Sequence, residues 1–425
     1  MSAPYRILSL DGGGSWALIQ VRCLQQLMPW ATTGHQVLRC FDLVAANSGG
    51  SIVLAGLVAD MPLADILALF ENEAVRRDIF APTDKLGWRL EHALAEASGD
   101  WLPAVGPRYS TERKLAALRQ HLGVLNGLCL HNVPDRVSQP GSGRPGPHVL
   151  IPAFDYNRQR STFFRSDQLS RGDSAVLADV LASRPPAPAT GHPVELLAAV
   201  HASSTAPVNF FDATAAVSIG GQDSYLWDGG VAGYNNPVLA AVTEALSNGH
   251  PAASIQVVSV GTGAKVFPVA QAGQTAEYDS LLTAAKANEG FFRDVVKVAS
   301  AIVGAPPDSA SYVAFTTLNP NFAHAGFQSR NFIRANPVVQ PRLENNTWHA
   351  PPSYDETTIK AICALELDAV TNEEVKLVQR ICEDWLAGRL PNQPVRADAE
   401  LRCLVGQPLF ADVQRLFNEL FPFAS

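Results

Sequence analysis

Paired cysteines are missing from this sequence. The six that occur (Cys23, Cys40, Cys129, Cys363, Cys382 and Cys403) form no Cys-x-x-Cys unit and no metal-type spacing. That leaves no pattern for a zinc ribbon, and the six read as buried free thiols in a reducing compartment. A basic excess is missing too. The net charge of −8 argues against a nucleic-acid polymer as partner and against electrostatic capture by anionic membranes, while leaving brief apolar contact with a lipid surface open. No apolar run reaches the ~18–20 residues of a spanning helix. Met1 leads into a short strand without a basic n-region, so the expected location is the cytosol. Neither an internal repeat nor a convincing linker is visible. With 47% hydrophobic and 17% charged residues, the chain should bury a substantial core.

What is present is organised around Phe41–Asp60, FDLVAANSGGSIVLAGLVAD. An apolar, β-compatible start runs into Asn47-Ser48-Gly49-Gly50 and then into a long apolar stretch. A serine at a sharp turn between a buried strand and a helix has the geometry of a nucleophile elbow, with small neighbours permitting the turn. Ala46 keeps the first position of Gly-x-Ser-x-Gly small but gives up easy access to positive φ.

Upstream, Arg6–Leu10 reads as a strand, Gly12–Ser15 as a glycine loop, and Trp16–Trp30 as a helix with apolar residues at helical spacing. Strand, loop, helix and elbow strand make a βαβ beginning and imply a parallel sheet. Downstream, residues 61–125 read as mostly helical, with Asp60 and Thr111 as N-caps. Gln139–Pro147 and Arg184–Pro193 are Pro/Gly loops, and Val149–Phe154 is a strand. Val194–Ala202 reads as a helix running into Ser203-Ser204-Thr205-Ala206-Pro207. Ala215–Ile219 and Ser224–Trp227 form a hairpin around Gly220-Gly221, Pro237 opens a helix to about Ser247, and Gln256–Val260 is a buried strand. Later, Pro306-Pro307 reads as a break, with helical patterns over Thr357–Leu390 and Leu409–Leu420. The expected organisation is a single α/β domain over residues 5–390, its motifs concentrated in 5–263, followed by a helical extension over 391–425.

Three stretches carry chemistry. Gly12-x-Gly14-x-x-Ala17 matches the dinucleotide fingerprint, but Asp11 would set a carboxylate beside the pyrophosphate, and the acid expected ~20 residues on is absent. The same loop can instead aim the amides of Gly12, Gly13 and Gly14 at a developing oxyanion near Ser48. A serine needs a base, and no histidine has a motif around it; His201 reads as a helix-end residue. Asp228 closes a strand-like run and is followed by two glycines. From the residues alone it is either a turn aspartate capping Gly230 or a site carboxylate at a strand end.

Together these stretches resemble the patatin-like phospholipase family. Asp11-Gly12-Gly13-Gly14 is similar to its oxyanion motif and Asn47-Ser48-Gly49-Gly50 to its nucleophile elbow. Ala199–Phe211, Asp228-Gly229-Gly230 with Asn235-Asn236-Pro237, Gly261-Thr262-Gly263 and, more faintly, Asn331–Pro337 follow in the family's order. The resemblance implies a three-layer α/β/α fold with a mostly parallel central sheet and extra helices. It also implies a lipid acyl hydrolase of the phospholipase A or lysophospholipase kind that needs neither metal nor cofactor. Ser48 would be the nucleophile, Asp228 its base, and Gly12, Gly13 and Gly14 the oxyanion hole, with a phospholipid or other acyl-ester lipid as substrate. Three departures stand out: Trp16 and Ala17 replace an arginine and a glycine, Ala46 replaces a glycine, and Asn47 replaces a small hydroxyl residue. They motivate an alternative, a patatin-shaped binding or regulatory module with weak or absent catalysis. Some bacterial relatives are defence effectors switched on by a nucleotide messenger, but no residue pattern here supports such a site.

Overall fold

The computed structural model describes residues 3–84, 106–141, 143–166, 193–219, 222–269, 271–283, 306–320, 331–398 and 403–422. Most of the expected loop 184–193, the Gly220-Gly221 turn and the middle of the expected helical stretch 61–125 lie outside these residues.

The central sheet is built from β1 (Tyr5–Leu10), β2 (Leu43–Ala46), β3 (His148–Asp155), β4 (Arg160–Arg165), β5 (Ala215–Ile219), β6 (Gln222–Asp228), β7 (Ile255–Val260) and β8 (Phe332–Ala335). Its order is β8-β7-β1-β2-β3-β6-β5, with β4 also paired to β3. The run β8-β7-β1-β2-β3 is parallel throughout, and β4, β6 and β5 join through antiparallel pairings. Parallel strands buried on both faces read as mainly apolar runs, as YRILSL, LVAA and IQVVSV do.

Alternate strand residues serve two cores. Leu8, Leu10, Val44, Ala46, Val258 and Val260 pack on one face, and Ile7, Leu43, Ala45, Val257 and Phe332 on the other. The described helices include α1 (Leu18–Leu27), α2 (Gly34–Leu38), α3 (Ser48–Val58), α4 (Leu63–Glu71), α5 (Glu73–Ile79), α6 (Thr111–His121), α7 (Leu196–Ser203), α8 (Val238–Ser247), α9 (Pro306–Leu318), α10 (Glu356–Ala364), α11 (Asn372–Leu386) and α12 (Phe410–Leu420). Side chains of α1, α3, α4, α7, α11 and α12 build the first core, and those of α8 and α9 the second. This is the three-layer α/β/α arrangement expected from the resemblance. Because α3 is apolar all round, it is buried all round, from Gly49 to Val58.

Local readings needed correction at three points. Pro306 and Pro307 belong to α9, described from Pro306 onward, instead of breaking the chain. Ser110, not Thr111, caps α6 by accepting the Arg113 N–H. Asp60 accepts the His35 N–H at the start of α2, while α4 begins after Pro62. Residues 391–422 contribute a short antiparallel pair (Arg396–Asp398 with Cys403–Val405) and α12, whose Phe410 and Phe417 enter the first core. Among the described residues no helix is long and apolar enough to cross a membrane.

Candidate active site

β3 brings the site together. On one edge it pairs with β4 along Leu150–Asp155. On the other edge β2 occupies His148–Leu150 and β6 occupies Ala153–Asp155. β2 runs parallel to β3 and β6 antiparallel, so the two strands approach tip to tip along one edge. Ser48 lies just past the tip of β2, and Asp228 closes β6 opposite Ala153.

Ser48 adopts φ +48°, a left-handed conformation that costs a non-glycine residue on the order of 1–3 kcal/mol. Such strain persists only where the surroundings enforce it. Here the enforcement is visible: Asn47 N–H donates to Leu10 O, Ser48 N–H donates to Ser203 Oγ at 3.1 Å, and α3 begins at once. Ala46 lies inside β2, paired with Leu10, so this position has no need of positive φ.

Asp228 is buried. Its Oδ1 accepts the Gly230 N–H at 2.7 Å and Asn47 Nδ2 at 3.0 Å, and its own N–H donates to Thr205 O at 2.8 Å. The Ser48 side chain stands near enough to act on the charge of the carboxylate. Burial pushes the Asp228 carboxyl above the usual carboxylate range; the bonds from Ser48, Gly230 and Asn47 and the charge of Lys114 act against that rise. Removal from water thus makes this aspartate a better base than a free one. Asn47 is fixed from both ends, its Oδ1 accepting from Ser203 Oγ at 3.0 Å while its Nδ2 holds Asp228. A small hydroxyl residue at this position would not span that gap.

The glycine loop lies against the elbow. A Cβ on Gly12 would stand 2.8 Å from Ser48 Cβ and 2.2 Å from Asn235 Oδ1, and one on Gly50 would stand 2.6 Å from Leu10 O. Neither position has room for a side chain. Gly12 N–H is committed to Asn235 O at 2.8 Å, and Gly12 O accepts from Thr262 Oγ1 at 2.8 Å. Among the described residues the amides of Gly13 and Gly14 have no partner. Leu367 O would stand 2.2 Å from a Cβ on Gly14, so a second strand of backbone crosses the loop where a dinucleotide would need space. No cluster of three or more His, Cys, Asp or Glu side chains suited to a metal occurs among the described residues.

The remaining departures have local explanations. Trp16 Nε1 donates to Glu366 O and Ser15 N–H to Leu367 O, tying the loop to the segment after α10. Ala17 packs where a Cβ on Gly49 would come within 3.1 Å. A cation does serve the loop, but it arrives from elsewhere: Arg334 of β8 grips Asp11 bidentately, Nη1–Oδ1 at 3.0 Å and Nη2–Oδ2 at 2.6 Å, and also donates to Ser259 Oγ. Four participants escaped the sequence reading. Arg334, Ser203 and Asn235 lie inside stretches already singled out, whereas Lys114 of α6 lies in none.

Comparison with known proteins agrees with this architecture. The family model described as patatin-like phospholipase matches residues 8–242. A curated relative, a cGAMP-activated phospholipase from Pseudomonas aeruginosa, is 28% identical over 162 residues, covering 38% of this chain and 40% of the relative. The chain therefore spans well under half the length of that relative. Among solved structures, VipD from Legionella pneumophila is similar over 90% of this chain and 67% of its own (TM-score 0.34, 10% identity). Human GIVD cytosolic phospholipase A2 is similar over 39% and 23% (TM-score 0.24, 17% identity). Both structural likenesses are distant.

Proposed function

Because the chain belongs to the patatin-like phospholipase family, over residues 8–242, we propose that it hydrolyses the acyl esters of lipids through a Ser48–Asp228 dyad. Ser48 Oγ attacks the acyl carbonyl while its proton passes to Asp228. Oxyanion charge falls to the amides of Gly13 and Gly14, donors already oriented and unspent. Asp228 then returns the proton to the departing alcohol, and water repeats the sequence on the acyl-serine. The observation that supports this reading is a buried carboxylate, Asp228, tied to Asn47, the neighbour of Ser48, by a 3.0 Å bond across the gap between two strand tips. With Gly12 N–H bonded to Asn235 O, its part is to let the loop approach the serine, leaving Gly13 and Gly14 as the donors.

The test is Ser48→Ala, assayed on p-nitrophenyl acyl esters and on phospholipid vesicles, with fluorophosphonate labelling of the native protein alongside. Turnover should drop by on the order of 10⁶, the scale for loss of a nucleophile, and labelling should map to Ser48. Wild-type turnover in Ser48→Ala would overturn the assignment. Failure of Ser48 to label in the native protein would favour the binding-module reading.

A further inference from the structure

Lys114 lies on α6, outside every sequence motif, and is 1% exposed. Its Nζ meets three acceptors: His201 O at 3.0 Å, Ser204 Oγ at 3.1 Å and Thr205 Oγ1 at 2.6 Å. Each is committed as an acceptor. His201 O is a carbonyl, the Thr205 hydroxyl spends its proton on that carbonyl at 2.6 Å, and the Ser204 hydroxyl spends its proton on Val200 O at 2.7 Å. Three acceptors require three N–H donors, which only the ammonium form supplies. The Phe211 ring, with its centroid 4.3 Å from Nζ, favours the same form. Among the described residues no carboxylate pairs with it. Burial without a contact counter-ion pulls the Lys114 ammonium well below the usual lysine range, and the charge of Asp228 acts against that fall.

The tract gripped by Lys114 is also the tract that holds the dyad. Ser203 Oγ accepts the Ser48 N–H and orients Asn47, and Thr205 O accepts the Asp228 N–H. We propose that Lys114 is a positioning residue of this site: its ammonium locks Ser203–Thr205, the shared anchor of Ser48 and Asp228, and sets a positive charge behind that tract. The inference rests on the dyad reading. The catalytic proton moves from Ser48 to Asp228 and on to the leaving alcohol, while Lys114 keeps its three protons throughout.

Other charged groups near α6 are engaged differently. His201 on α7 is buried, and burial together with Lys114 and Arg119 holds its imidazole neutral. Asp212 accepts the Thr111 N–H at the start of α6. On α5, Arg76 is held by Phe70 O, Val370 O and Asn372, Asp78 pairs with His121, and Glu73 pairs with Arg77.

The experiment is the pH dependence of kcat/KM on a p-nitrophenyl acyl ester for wild type, Lys114→Met, Lys114→Arg and Asp228→Asn, with thermal unfolding read on the same samples. In Lys114→Met the acidic limb should move up by about one pH unit, and kcat should fall about tenfold with KM nearly constant. Lys114→Arg keeps the charge but not the tetrahedral donor set, so its limb should stay near that of wild type while kcat falls. Lys114→Gln replaces Lys114→Met if the latter does not fold. Because Lys114→Met also relieves His201, the shift is repeated in a His201→Gln background, where it should persist. An unmoved limb in the folded, uncharged variant, or a shift that vanishes with His201, overturns the inference. If Asp228→Asn is inactive in the same series, that failure belongs to Lys114 alone. Wild-type turnover in Asp228→Asn instead overturns the dyad and the inference with it.

Discussion

Asp11 follows β1 and Asp228 closes β6, and both carboxylates are withdrawn from water, with 3% and 6% of their surface exposed. Their surroundings differ in kind. Asp11 is clasped by the Arg334 guanidinium across two bonds, with burial working against its charge and the arginine for it. Among the described residues Asp228 accepts from the neutral donors Asn47 and Gly230, and Lys114 stands behind the Thr205 hydroxyl. A bidentate partner makes a carboxylate a fixture of the fold. Neutral donors leave it able to take up a proton and give it back. The two residues, similar in burial, are thus suited to opposite tasks: one anchors the glycine loop, the other can serve as a base.

Several substitutions would sharpen or break this contrast. The largest effect should come from Asp228→Asn, which keeps the shape of the side chain and removes the base. Turnover should fall about 10²–10⁴-fold with the circular dichroism spectrum unchanged; activity near wild type would erase the distinction. Next is Arg334→Met, which strands the buried Asp11 charge and should cost about 3–5 kcal/mol in chemical denaturation. The double variant Asp11→Asn/Arg334→Met should recover most of that loss. If the single variant is as stable as wild type, Asp11 is not held as described.

A smaller effect is expected for Asn47→Ala, which removes one bond to the Asp228 carboxylate, an interaction worth about 1.5–3 kcal/mol. Its kcat/KM should drop by roughly tenfold or more, with the acidic limb moving to higher pH because one of the bonds opposing the raised pKa is gone. An unchanged pH profile would mean that Asn47 serves only the turn. The smallest is thermodynamic. A carboxyl raised by folding binds its proton more tightly in the native state. Its contribution to stability is therefore present below the reference pKa of ~3.9 and is lost as pH rises through the native value. At pH 7 Asp228→Asn should unfold no earlier than wild type in a thermal melt, whereas a lower melting temperature would make Asp228 a structural residue like Asp11.

Where an element's requirements are local, it was legible. The elbow needs small residues beside Ser48, the glycine loop needs room against it, and both needs fall within a few consecutive positions. The hairpin that delivers Asp228 was visible for the same reason, as two alternating runs around glycines. What could not be read was who answers whom. Trp16 stands where the family has an arginine, yet a cation reaches the loop from Arg334, 323 residues from Asp11. Asn47 looked like a defect in the elbow and proves to bridge Ser203 and Asp228.

By itself, then, the sequence determined most of the strands around the site, though not Arg160–Arg165 or Phe332–Ala335, and its turns, because these follow from backbone sterics and apolar periodicity over short spans. The meeting of β2 and β6 on one edge of β3, the pairing of Asp11 with Arg334 and the burial of Lys114 behind Asp228 were decided only in three dimensions. Burial and hydrogen-bond complementarity between segments hundreds of residues apart impose no spacing on the chain, and so they leave no pattern in it to read.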